Sequence, residues 1–422
     1  MLRRAFVLLL GTLALAACGG GYGYGPRGGY GYGYGGAPVP LGSGSPPTAG
    51  GPTGQTVAIL LPLSGARADL GQTMLHAAQL ALDGSGAPPL DAKDTGGTPQ
   101  GAAAAAQAAI ADGAGLILGP LTSSETAAVA PIARAANVAV LAFTNDPSQA
   151  QPGVWTLGIT PGQQVRRLVA AAQGQGKSQF AGLLPDNDFG HAMAQALIQA
   201  ASINGAAPPN VRFYAPGMPA INAAARDLSD YANRRGPIDA QIRAARALET
   251  PEGRRQAQDL AKSSIPPPSF NSLLLADTGD ALAEIAAVLP YYDVDRSAVQ
   301  IIGPALWANP ASGSGQMRGA WYAAPDPAAR SGFEQAYSAK FGSPPSPVAD
   351  LAYDAASIAR VLGGQGYSVG AITQSNGFVG ADGWFGLLSD GQVRRALAVF
   401  AIERGGPQMV EPAPQSGNVP GA

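Results

Sequence analysis

From Thr56 onward, short apolar runs alternate with helix-length segments, and that alternation leaves few folds open. Val57-Ala58-Ile59-Leu60-Leu61 is apolar without interruption, as a parallel strand buried on both faces must be. After a turn from Ser64 to Gly71, the segment Met74 to Asp83 carries Leu75, Ala78 and Leu82 on one stripe, the spacing of an amphipathic helix. Asp94-Thr95-Gly96-Gly97 closes a second strand, and an alanine-rich helix runs on to Asp112. Leu116-Ile117-Leu118 and Val138 to Phe143 supply the third and fourth strands. Thr122 with Glu125, and Thr160-Pro161 with Gln163, are capping-box helix starts. A second series follows: strands at Phe180 to Leu184, Val211 to Tyr214, Leu273 to Ala276 and Ile301-Ile302, with a helix near Met193 to Ile203. The pattern predicts an α/β fold of doubly wound parallel sheets, with any ligand at the carboxyl ends of the strands. Roughly 350 residues of it exceed a single sheet and imply two lobes.

The side chains offer little for catalysis. Of 422 residues 46 % are apolar, enough for a large core, while 13 % are charged and the net charge is −2, which gives no footing for nucleic acid. A lone cysteine, Cys18, excludes an internal disulfide or a multi-cysteine metal site. His76 and His191 are the only histidines: His76, on the first helix, reads as packed or exposed, and His191, at a helix start near the expected cleft, as a surface or capping residue rather than a ligand contact. Gly366-Tyr367-Ser368-Val369-Gly370 matches a nucleophile elbow but follows a helix, and Gly176-Lys177-Ser178 echoes a phosphate loop with helix and strand reversed. Neither context supports chemistry, so we expect no catalytic residues, no metal and no cofactor.

The two ends read differently from the body. Arg3 and Arg4 precede an apolar run, Ala5 to Ala14, too short to span a bilayer; Leu15-Ala16-Ala17-Cys18 follows at once. This resembles a bacterial lipobox, which implies a signal peptide over residues 1–18, acylation at Cys18 and a membrane association through the lipid anchor only. Gly19 stands where lipoproteins kept at the inner membrane often carry Asp, which points to the outer membrane. Residues 19–55, with Tyr22, Tyr24, Tyr30, Tyr32 and Tyr34 among glycines, read as a flexible tether, and 406–422 as a disordered tail. Between Ala220 and Ser264 a polar insertion, with Arg234, Arg235, Arg243, Arg246, Arg254 and Arg255, reads as solvated helices or a docking surface.

The ordered segments Val57 to Gly65, Leu70-Gly71, Asp94 to Gly97, Leu118 to Ser124, Val140 to Asn145, Pro185-Asp186 through Phe189-Gly190, and Ile302-Gly303-Pro304 resemble the leucine/isoleucine/valine-type, class I periplasmic binding fold. The resemblance covers residues 56–405 and implies three interlobe crossings, near Ile159, Ala324 and Val379. Lobe one would then hold about 56–158 and 325–378, and lobe two about 160–323 and 380–405. It implies a cleft lined by Ser64, Leu70, Thr122, Ser123, Ser124, Ala142, Phe143 and Thr144, faced by Phe189 and the stretch around Trp307; Asp94, at a strand end, faces the same cleft, with helix capping as its simplest role. Where amino-acid binders of the family carry an acid after the lobe-two Gly-Pro this chain has Ala305, and where they carry an aromatic hydroxyl it has Phe189.

A closer resemblance is to the penicillin-binding protein activator branch of lipoproteins. It rests on the insertion before Phe270 to Leu275, on Leu289-Pro290-Tyr291-Tyr292, on Leu306-Trp307, and on Asn376-Gly377-Phe378 with Asp382-Gly383 and Asp390-Gly391. The resemblance implies a periplasmic regulator of peptidoglycan synthesis whose partner is a peptidoglycan synthase (a penicillin-binding protein). The alternative is the substrate-binding protein of an ABC importer for branched-chain amino acids or amides, with an ABC permease as partner. A third, a sensor that binds a metabolite and then a partner, stays open.

Overall fold

The computed structural model describes residues 39–40 and 56–416; Cys18, the signal segment, nearly all of the tether and residues 417–422 lie outside the described residues. Val39–Pro40 forms a two-residue strand, β1. A five-stranded parallel sheet follows: β2 (Thr56–Leu61), β3 (Leu90–Asp94), β4 (Ala114–Leu118), β5 (Ala139–Ala142) and β6 (Val154–Thr156), in the order β3-β2-β4-β5-β6. Its helices are α1 (Ala68–Ala81), α2 (Pro99–Ala111) and α3 (Ser123–Ala135). The unbroken apolar run of β2 is divided between two cores. Val57, Ile59 and Leu61 pack with α1, while Ala58 and Leu60 pack with Ala102, Ala106, Val129 and Ala133 of α2 and α3. Strand pleating sends alternate side chains to opposite faces, so a strand covered on both has no polar position to spare.

After β6 the chain enters the second lobe. Its elements are α4 (Pro161–Gly174), β7 (Phe180–Pro185), α5 (Asp188–Ile203), β8 (Asn210–Tyr214), α6 (Met218–Leu228), α7 (Tyr231–Ala247), α8 (Pro251–Lys262), β9 (Ser272–Leu275), α9 (Gly279–Val288), β10 (Gln300–Gly303) and β11 (Trp321–Ala324). The chain then returns to lobe one as α10 (Pro327–Phe341), α11 (Ala349–Leu362) and α12 (Val369–Ile372). Three strands come next, β12 (Phe378–Gly380), β13 (Gly383–Leu387) and β14 (Val393–Arg395), forming with β1 a small sheet of order β1-β12-β13-β14. The last strands, β15 (Ala398–Glu403) and β16 (Gly406–Glu411), run antiparallel on the edge of the lobe-two sheet, whose order is β16-β15-β11-β10-β9-β7-β8.

Three expectations need correction. Residues 406–411 are not part of a disordered tail: Arg404-Gly405 makes a two-residue turn, Gly406 takes φ +114, and β16 pairs with β15. Pro407 is tolerated there because an edge strand has N–H groups to spare. The third crossing lies after Arg395 rather than near Val379, because Phe385, Leu387 and Val393 are buried in the same core as Ile59, α1 and α11. The polar insertion begins after Leu228, not at Ala220, since Ile221, Ala225 and Leu228 of α6 belong to the lobe-two core. The insertion proper is the helical pair α7–α8, closed by its own small cluster of Ile242, Ala245 and Ala257. Arg234 is no solvated charge: it donates to the carbonyls of Ser229, Pro266 and Tyr292 and pins the pair to the body.

Candidate ligand cleft

A cavity of about 920 Å³ opens where α3 and the end of β5 meet the chain crossings and the start of α10 and α11. Thr122 and Ser123 reach it from the start of α3, and Phe143 and Thr144 from the end of β5. Lobe two contributes Ala305 and Ala308, from a single helical turn after β10, and Ala324 at the end of β11. The other residues expected at the cleft do not line this cavity. Ser64 and Asp94 serve the loop between β2 and α1: one Asp94 carboxylate oxygen accepts from the N–H groups of Leu63, Ser64 and Gly96. The Ser64 hydroxyl first, and then those N–H groups, hold the carboxyl of Asp94 below the usual carboxylate range. Leu70 packs against the lobe-one core, and Ala142 is fully buried on the α2–α3 face of its sheet. Ser124 is exposed beside Thr122, with its hydroxyl 3.4 Å away. Phe189 packs on the lobe-two core. Trp307 is turned inward and is 2 % exposed: its indole N–H donates to the Asp277 carbonyl and its ring lies against Gly303, where a Cβ would fall 2.3 Å from it.

The two hydroxyls at the head of α3 are already engaged. Thr122 donates to Glu125 at 2.7 Å, and Thr95 donates to the other oxygen of the same fully buried carboxylate at 2.6 Å. The Glu125 carboxylate also accepts from the Thr122 N–H, completing the capping box expected from the sequence. Ser123 donates to Asp146. Burial pushes the Asp146 carboxyl up, but hydroxyl and N–H donors, Ser123 first, outweigh it and leave that group below its usual range. The helix N-terminus, the natural seat for a ligand anion, is therefore flanked by two carboxylates of the protein itself. Acids predominate around the rest of the cavity: Asp146, Asp326, Glu334, Asp350 and Asp382 line it, with Arg330 the one base among the described lining residues.

Sequence reasoning missed the most heavily charged part of this region. Asp350 and Asp354 of α11, Asp382 between β12 and β13, and Arg395 of β14 are each at most 3 % exposed. Arg330 of α10 lies 2.8 Å from Asp350 and 3.4 Å from Asp382. Arg395 lies 3.9 Å from Asp354 and 4.0 Å from Asp382, and donates to the Leu157 carbonyl on the first crossing. Asp354 accepts from the Ala381 N–H at 2.7 Å, close enough that a Cβ at Gly380 would fall 2.4 Å from its carboxylate. Burial, opposed by Arg395, pushes the Asp354 carboxyl up to about 7, and burial beside Asp382 raises that of Asp350 well above the ordinary range. The available signal was the i, i+4 pair Asp350 and Asp354 on the apolar stripe of α11, where a solvated helix would carry no acids.

A sequence profile described as "Periplasmic binding protein" matches residues 54–406. This chain belongs to the periplasmic binding protein family. Solved structures agree on the fold. A branched-chain amino acid ABC transporter protein from Rhodospirillum rubrum superposes with TM-score 0.62 at 22 % identity, covering 85 % of this chain and all of that one. The C-domain of LpoA from Haemophilus influenzae, described as a regulator of PBP1A, superposes with TM-score 0.57 at 17 % identity, covering 84 % and 99 %. An uncharacterised protein of Rickettsia prowazekii is 24 % identical over 178 residues, 42 % of this chain and 48 % of its own length. This chain thus matches about half the length of that relative. The class I resemblance read from the ordered segments is the fold the structure has, and the family and its neighbours are binding and regulatory proteins rather than enzymes. Membership implies a periplasmic location. Among the described residues no helix is long and apolar enough to cross a membrane.

Proposed function

We propose that this protein is a non-enzymatic envelope lipoprotein, anchored through Cys18, that regulates peptidoglycan synthesis by contact with a penicillin-binding-protein synthase. The observation that carries the reading is the state of the cleft. An amino-acid importer needs free donors for the ligand carboxylate and an acid for its ammonium. Here Thr122 and Ser123 are committed to Glu125 and Asp146, and the facing lobe offers Ala305, Ala308 and Ala324. The Ala305 N–H is itself taken by the Gln164 side chain at 2.7 Å. Displacing such bonds leaves a buried carboxylate short of donors, at about 1–3 kcal/mol each. The likeness of fold to the LpoA C-domain supports the same reading. The importer reading draws on the likeness to the Rhodospirillum rubrum protein and on the size of the cavity.

The test has two arms on the mature chain without its lipid. Titration with the purified synthase is expected to give saturable binding and a faster rate of glycan polymerisation. A panel of free amino acids and short amides is expected to leave the melting temperature unchanged, whereas a ligand at a thousandfold its Kd would add about 4 kcal/mol of stability. A saturable rise with any amino acid, together with no effect on the synthase, would move the protein to the importer class.

A further inference from the structure

A smaller pocket of about 240 Å³, sharing no lining residue with the cleft, lies among the start of α4, α5, the end of β6 and the start of β14. Its described lining holds no acid, although acids outnumber bases in the chain by 28 to 26. Arg166 lies in it with no carboxylate paired to it among the described residues. The neighbouring Arg167 points elsewhere and is fully employed, at 2.9 Å from Glu411 and bonded to the carbonyls of Leu397 and Pro412. Burial, and then the like charge of Arg394, lower the pKa of Arg166, so the guanidinium sits where a cation is uncomfortable. The pocket also takes in Thr156, 1 % exposed, whose hydroxyl makes no hydrogen bond among the described residues. Gln195 and Gln199, both exposed, line its mouth. A guanidinium with no carboxylate partner, in a pocket without acids and beside the Thr156 hydroxyl, is a set of donors open to an acceptor.

We propose that this pocket binds a small oxyanion, a solute bearing a carboxylate or phosphate group, held by Arg166 and Thr156. The walls come from both lobes, Thr156 from the lobe-one sheet and Arg166 from the first helix of lobe two, so an occupant bridges the hinge and fixes the angle between them. The site is independent of what the cleft binds.

The experiment uses the mature chain and isothermal titration with inorganic phosphate, acetate and citrate, each at ionic strength matched with sodium chloride so that screening is constant. At least one of the three is expected to bind saturably; phosphate alone would assign a tetrahedral ligand, acetate or citrate alone a carboxylate. Arg166→Gln is expected to weaken binding at least about tenfold, the factor that about 1.4 kcal/mol of charge-assisted hydrogen bonding represents. Arg166→Lys should recover part of it, and Thr156→Val should weaken binding while keeping the wild-type far-ultraviolet dichroism. Absence of saturable binding by all three anions, or an unchanged affinity in Arg166→Gln, overturns the proposal.

Discussion

The apolar layers either side of β2 and the charged cluster at the hinge are equally dry, and they are built on opposite terms. Ile59 and Leu60 are fully buried among other hydrocarbon side chains, where each atom contributes by area removed from water and by contact. Arg395 and Asp354 are as deeply buried, yet their stability depends on how completely each charge is answered. The answer is incomplete: Nε and Nη1 of Arg395 and one oxygen of Asp354 lack a hydrogen-bond partner among the described residues. The first region degrades in proportion to the volume removed. The second fails by the loss of any one member, since a single deletion strands a charge in a medium of low polarity.

The largest expected effect is therefore in the cluster. Arg395→Met should cost about 3–5 kcal/mol of unfolding free energy, because Asp354 then loses its nearest counter-charge and Arg330 alone is left to answer Asp382. Urea denaturation reads it, and a cost below about 1 kcal/mol would mean the guanidinium is not what holds these carboxylates. Asp354→Leu combined with Arg395→Met should recover much of the loss, whereas no second substitution of that kind rescues the apolar core. There, Ile59→Ala should cost about 2–5 kcal/mol with the cavity it leaves. Equal behaviour of the two sites in double-mutant cycles would dissolve the contrast between them.

Next in size is a dependence on pH that only the hinge should show. The Asp354 carboxyl titrates at about 7 in the folded protein and near 3.8 when unfolded, so between those values the folded state binds the extra proton. Its contribution is fully present below the unfolded value and is lost as pH rises through 7. Asp350, raised for the same reason, acts in the same direction. The melting temperature should therefore fall as pH climbs from about 5 to about 8, and Asp354→Asn should flatten that slope. An unchanged slope in Asp354→Asn would remove Asp354 as its source.

What the sequence made legible follows the same division. The strands of the parallel sheets could be read because burial on both faces forces uninterrupted apolar runs such as Val57 to Leu61, and helix starts could be read because capping chemistry is local to Thr122–Glu125 and Thr160–Gln163. The cluster at the hinge draws Arg330, Asp350, Asp382 and Arg395 from four separate elements, and no periodicity links residues that meet only through tertiary structure. Trp307 shows the same limit within a few residues. Its neighbours Ala305 and Ala308 line the cleft while the indole turns back against Gly303, a choice set by the missing Cβ of that glycine. Residues 406–411 were misread because a glycine-rich hairpin turn and a glycine-rich terminus share a composition.

The smallest effect sharpens the comparison, because it should carry the opposite sign with pH. Asp146 is a carboxylate at the cleft mouth whose folded pKa is depressed, with Ser123 as its leading donor. A depressed carboxyl contributes stability above its unfolded pKa and loses it as pH falls through the folded value. Ser123→Ala should therefore cost about 1 kcal/mol at neutral pH, kept modest because the group is partly open to solvent, and the cost should shrink in acid as pH falls through the depressed folded value of Asp146. Asp354→Asn and Ser123→Ala would then separate along the pH axis: the first changes stability between about 4 and 7, the second is blunted only in acid. A Ser123→Ala cost that stayed constant through the whole acid limb of the stability curve would mean that the hydroxyl serves the helix start rather than Asp146, and would return it to the ligand.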